Sequence, residues 1–213
     1  MGRTALACAA ALLLSVAAAQ WLTRDFQVWT AEGARRLDVA LHPLPAPRVV
    51  VDGPGFAPQT LQQLLSQERA VTVVDFMYTR CVTVCTALGG VFQQLQASIL
   101  GSGLRPGAPA LRLLSISFDP GHDDPAVLAR YAATLRADPD VWRFARASDA
   151  TQVQRLLNHY QVTVVANGPG DYEHNAALLV VDPAARLVRV FDYAEQDLAL
   201  AYARSLVART PLP

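Results

Sequence analysis

Apolar and polar positions follow three different patterns along the chain. From Ala5 to Leu22 only Ser15 and Gln20 interrupt an apolar run. At about 1.5 Å per residue such a stretch makes a helix of roughly 27 Å, close to the roughly 30 Å of a bilayer core. Residues Thr23 to Ala40 are mixed and compatible with a helix, and His42-Pro43-Leu44-Pro45-Ala46-Pro47 must be extended because each proline restricts its predecessor. From Arg48 onward the pattern alternates. Val71 to Met77 is a β-branched apolar run of strand length that leads quickly into a helical pattern over Cys81 to Leu100, and Leu111 to Phe118 is a second strand. Asp124-Pro125 opens a helix to about Arg136, with the carboxylate at the cap and proline in the first turn. A further helix starts at Ser148 or Asp149 and runs to Tyr160. Ala176 to Val181 and Leu187 to Phe191 form a hairpin across the turn at Asp182-Pro183, and a last amphipathic helix spans about Glu195 to Ala208. This order predicts an α/β fold: a mixed sheet flanked by helices, preceded by an N-terminal hydrophobic helix.

The first run has two readings. Arg3, the apolar stretch and Ala17-Ala18-Ala19 resemble a signal peptide with a small-residue cleavage site, whereas Trp21 and Arg24 suit an anchor at a membrane interface. Either way the rest of the chain is exported. The expected organisation is an anchor or signal at 1–22, a spacer at 23–47 and one domain at 48–209. Cys8 precedes most of the apolar residues, the wrong order for a lipoprotein signal, and reads as a small hydrophobe in the helix.

Composition narrows the classes. Of 213 residues 52% are hydrophobic and 17% charged, which excludes disorder as the overall state. Eighteen basic and eighteen acidic residues leave no net charge, so the positive field of a nucleic-acid binder is missing. Three cysteines cannot staple a small secreted scaffold.

Two of those cysteines carry the chemistry. With Cys85 in the first turn of a helix and Cys81 just before it, the thiols share one side about 6 Å of helical rise apart, within disulfide reach. Unpaired backbone N–H groups at the helix start, and Arg80, favour the thiolates. Thiolates are nucleophiles and soft ligands, and a pair of them suits Cu(I). A closed zinc site would require about four ligands, and there is no second cysteine pair. The same spacing also fits a static disulfide or two core thiols. Among the histidines, His42 in the proline spacer and His159 near a helix end read as surface residues, and His122 sits in a turn after a strand. His174 ends the expected loop Asn167 to Glu173 just before the Ala176 strand, an edge from which it can lean over the cysteine helix.

Three motifs in order, Tyr78-Thr79-Arg80-Cys81 with Cys85, Ser115-Ile116-Ser117-Phe118-Asp119-Pro120 with Asp123-Asp124-Pro125, and Tyr172-Glu173-His174-Asn175 before Leu179-Val180-Val181-Asp182-Pro183, resemble the SCO/SenC family of thioredoxin-like copper proteins over about residues 48–209. The resemblance implies a thioredoxin-like fold. It also implies copper, as Cu(I) or Cu(II), bound by Cys81, Cys85 and His174, with Cys81 and Cys85 able to form a redox disulfide. It implies a copper chaperone on the periplasmic side of a membrane, delivering to a protein recipient such as a cytochrome c oxidase subunit. The chain departs from the family's usual pattern by having Val82, Thr83 and Thr86 where prolines and an aspartate are common, and Glu173 where aspartate is more usual. The competing reading is a thiol-disulfide oxidoreductase with Cys81, Cys85 and Asp75 as its catalytic groups. Asp75, six residues before Cys81, resembles the buried aspartate that assists proton transfer in thioredoxin, and a carboxylate there would act as a general base. Against it, thioredoxins have Cys-x-x-Cys and a cis-proline where this chain has His174-Asn175.

Overall fold

The computed structural model describes residues 2–67, 69–81, 84–102, 111–168 and 171–209, with only the backbone at 84–87. Between His42 and Pro43 the chain divides into two compact units. In the first, α1 (Gly2–Leu22) has no buried residue and is long and apolar enough to cross a membrane. Beyond it Arg24, Asp25 and Phe26 adopt left-handed φ values of 47°, 60° and 61°. That reversal is closed by the Val28 N–H donating to the Thr23 carbonyl at 2.9 Å. Helix α2 (Ala31–Leu41) starts at Thr30, whose Oγ1 accepts from the Gly33 N–H at 3.0 Å.

The second unit contains, in chain order, β1 (Leu44–Pro45), β2 (Val50–Gly53), β3 (Phe56–Thr60), α3 (Leu61–Gln67), β4 (Val71–Met77), α4 (Val84–Gly101), β5 (Leu111–Ser117), α5 (Pro125–Thr134), β6 (Trp142–Ala147), α6 (Ala150–Tyr160), β7 (Val164–Gly168), β8 (Asp171–His174), β9 (Ala177–Val181), β10 (Arg186–Asp192) and α7 (Gln196–Arg209). The described residues form an eight-stranded sheet in the order β1-β10-β9-β4-β5-β6-β2-β3, and β7 and β8 pair apart from it. Strands β4, β5 and β6 are parallel and β9 runs antiparallel to β4.

All seven residues of β4 are buried, as a strand covered on both faces requires. Val71 and Val73 pack into one cluster with Leu88, Phe92 and Leu95 of α4 and Ala199, Leu200 and Ala203 of α7. Each large side chain removed from water there contributes roughly 2–3 kcal/mol. Gly89 lets α4 pass close to the end of α5, since a Cβ at that position would come within 3.3 Å of Leu135. On the opposite face the Phe76 ring meets Tyr160 of α6 at 5.9 Å.

The expected mixed α/β sheet is thus the observed one. Asp124 caps α5 by accepting from the Val127 N–H at 2.7 Å, and Asp149 caps α6. Two expectations need correction. Asn167 to Glu173 is expected as a loop, but its described residues lie on strands: Asn167 and Gly168 on β7 and Asp171 to Glu173 on β8, where Val164 pairs with His174 and Ala166 with Tyr172. The sheet also extends through β6, β2 and β3, strands that sequence patterning passes over.

Candidate metal centre

The parallel strands β4 and β5 deliver their C-terminal ends side by side, the Phe118 N–H donating to the Met77 carbonyl at 3.1 Å. Cys81 follows β4 after a tight turn in which its N–H donates to the Tyr78 carbonyl at 3.3 Å, and its side chain is buried. Helix α4 opens at Val84, which puts Cys85 in the first turn with Cys81 just ahead of it. Backbone N–H groups at that end favour thiolates over thiols.

The approach to Cys81 is held by a carboxylate. Asp123 is fully buried, and its Oδ2 accepts from the Thr79 N–H at 3.0 Å and the Ser117 hydroxyl at 2.5 Å. Its Oδ1 accepts from the Thr79 hydroxyl at 2.5 Å and lies 2.9 Å from His122 Nδ1. Next to it Arg80 donates to Asp119 at 2.6 Å, and that pairing holds the guanidinium above its ordinary range. Asp119, His122 and Asp123 bring ligand-type atoms within 4.8 Å of one another. Both Asp123 oxygens are engaged by Thr79 and Ser117 and Asp119 Oδ2 by Arg80, so this cluster serves as a clamp on the turn before Cys81.

His174 is the last residue of β8 and half-buried, its ring 5.2 Å from that of Phe118 in an edge-on contact. Phe118 also contacts Tyr78 at 5.3 Å and Tyr172 at 5.8 Å. Tyr78 belongs to the same turn as Cys81, its carbonyl accepting from the Cys81 N–H. The strand that ends at His174 and the turn that ends at Cys81 are therefore joined through one aromatic cluster. Burial pulls His174 below the usual imidazole range, against a backbone hydrogen bond at Asn175 that raises it, so the ring is neutral at pH 7.

Asp75 lies in the middle of the sheet, 3% exposed and paired in register with Ser115. Burial pushes its carboxyl up to about 7, opposed by a hydrogen bond from Ser115, and Oδ1 has no hydrogen-bond partner among the described residues. Of the other histidines, His122 belongs to the Asp123 cluster. His42 is exposed beside Asp38, and His159 Nε2 contacts the Pro45 carbonyl at 2.8 Å. Sequence reasoning quoted Tyr78 and Asp123 as motif letters and gave neither a role; the spacing of Asp123 behind a strand end was the available signal.

Residues 64–207 match the SCO1/SenC family. The chain belongs to that family. A curated relative, the SCO1 protein homolog of Bacillus subtilis (strain 168), is 22% identical over 134 residues, covering 62% of this chain and 67% of the relative. BsSco, described as a member of the Sco family of cytochrome c oxidase assembly proteins with a disulfide switch, superposes with a TM-score of 0.66 at 18% identity, over 79% of this chain and 96% of its own. Yeast Sco1, solved with copper bound, gives 0.63 at 17% identity over 79% of this chain and 91% of its own. At these identities the structural likeness speaks for the fold, which is the thioredoxin-like one of the Sco proteins.

Proposed function

We propose that Cys81, Cys85 and His174 bind one copper ion as cargo and that the protein passes it to a partner, of which a cytochrome c oxidase subunit is the favoured example. The observation that carries this reading is the aromatic cluster of Tyr78, Phe118 and Tyr172, which ties the strand ending at His174 to the turn ending at Cys81. The donor set fits copper: two soft sulfurs satisfy Cu(I) at low coordination number, and a neutral imidazole adds the nitrogen that Cu(II) prefers. Copper-bound yeast Sco1 and the assembly role named for BsSco support the same assignment. Loading requires both thiols reduced, because closing a disulfide removes two electrons and two protons and leaves no thiolate.

Helix α1 serves in this reading as a membrane tether and 48–209 as the copper domain on the periplasmic side; of the expected spacer 23–47, the part from Pro43 onward belongs to that domain, because β1 pairs with β10 in its sheet. Trp21 and Trp29, 81% and 73% exposed, flank the end of α1 and favour a retained anchor over a cleaved signal.

The test is a competitive titration of the reduced full chain in detergent with Cu(I), Cu(II) and Zn(II). Cys81→Ser or Cys85→Ser should cost copper affinity about 100-fold or more. His174→Ala should weaken Cu(II) about 10-fold or more and Cu(I) far less. Preference for zinc, or copper retained by the double cysteine variant, sinks the proposal. Asp75 favours a second reading, thiol-disulfide exchange, since a carboxyl near pH 7 is suited to proton transfer. In that case the unmutated protein should reduce a model disulfide rapidly, and Asp75→Asn should slow it about 10- to 100-fold.

A further inference from the structure

The β7–β8 hairpin stands apart from the main sheet, and most of its residues are exposed or only partly buried. A lone two-stranded hairpin is marginal in water, so a hairpin that holds a ligand in place needs a tie to the rest of the fold. Tyr78 supplies one. Its side chain is 1% exposed, and its hydroxyl oxygen accepts from the Tyr172 N–H at 3.1 Å. The same hydroxyl is 3.0 Å from Asp171 Oδ1 and 3.2 Å from the Tyr172 carbonyl, either of which accepts its proton. The Tyr78 ring stands edge-on to Tyr172 at 5.2 Å. The contacts are long-range in sequence, 93 and 94 residues, so one hydroxyl spans the gap between the two halves of the centre.

We propose that the Tyr78 hydroxyl is a positioning group: it fixes the hairpin that ends at His174 relative to the turn that ends at Cys81, and so sets whether a metal held by the thiols also meets the imidazole. This rests on the copper reading above. The hydroxyl both accepts from the hairpin, at the Tyr172 N–H, and donates to it, at Asp171 or the Tyr172 carbonyl, so its loss removes the polar tie in both directions.

The deciding variant is Tyr78→Phe in the full chain in detergent, because phenylalanine keeps the ring contacts and removes only the oxygen. In the metal-free protein, hydrogen exchange at the Tyr172 amide and along β8 should rise about tenfold while β4 and β5 stay unchanged. Cu(II) affinity should fall about tenfold and Cu(I) affinity less than twofold, with an altered thiolate-to-Cu(II) charge-transfer band. Asp171→Ala, at an exposed position, guards against a folding failure and should act in the same direction, about threefold. Unchanged exchange in β8 overturns the latch, and so does faster exchange with an unchanged ratio of Cu(II) to Cu(I) affinity. If the unmutated protein binds no copper, the ligand assignment fails, and the exchange measurement still decides whether Tyr78 holds the hairpin.

Discussion

Asp123 and Asp75 are both buried carboxylates at the sheet, and the protein surrounds them in opposite ways. Asp123 accepts from the Thr79 N–H, the Thr79 hydroxyl and the Ser117 hydroxyl, with His122 beside it. Asp75 has Ser115 and one oxygen without a partner among the described residues. Donors that converge on a carboxylate stabilise its charged form, whereas burial without them favours the protonated one. The difference teaches where this fold spends its polar interactions: on holding the turn before Cys81 still, and not on the carboxyl of Asp75 in the middle of β4.

Three measurements can break or sharpen that contrast. The largest effect is expected for Asp123→Ala, which strands several buried donors and should cost roughly 3–5 kcal/mol in a urea titration. A loss below about 1 kcal/mol would show that the clamp is not needed for the fold. Next comes Asp75. Its carboxyl titrates near 7 in the folded protein against 3.8 ordinarily, so the native state holds a proton that the unfolded chain releases. Its contribution to stability is full below about pH 4 and is lost as pH rises through 7, on the order of 4 kcal/mol in total. Asp75→Asn should remove that slope and make the protein more stable than its parent at pH 8; parallel pH profiles for the two would end the contrast. Ser117→Ala is the smallest, removing one donor to Asp123 at a cost of about 1–2 kcal/mol, and it measures how far the four contacts around that carboxylate act independently.

Some of this architecture is legible in the residues and some is not, for physical reasons. Val71–Met77, Leu111–Ser117 and Ala177–Val181 announce themselves because a strand covered on both faces is an unbroken apolar run. Asp124-Pro125 fixes a helix start by local chemistry alone. Strand β6 escapes notice because Arg143 and Arg146 interrupt it, and Arg146 is satisfied by distant partners, Asp52, 94 residues away, and the Pro120 carbonyl. The β7–β8 hairpin escapes for a related reason: Asn167 and Gly168 look like loop residues, and the hairpin's hydrogen bonds to Tyr78 come from a turn far away in sequence. At the centre itself, the cysteines and the start of α4 follow from spacing. The part played by Tyr78 and Asp123 depends on partners that no local pattern reveals.

The outer strands of the sheet bear on how the protein behaves at high density. At one edge β1 is only two residues long and contains Pro45, with Pro43 and Pro47 on either side; at the other, β3 contains Pro58. A proline offers no amide hydrogen to an incoming strand, and a two-residue strand offers almost no length to copy. Both borders of the sheet are thus poor templates for growth. Chains concentrated in two dimensions on one membrane face would meet edge to edge far more often than in free solution, and this sheet gives such encounters little to propagate.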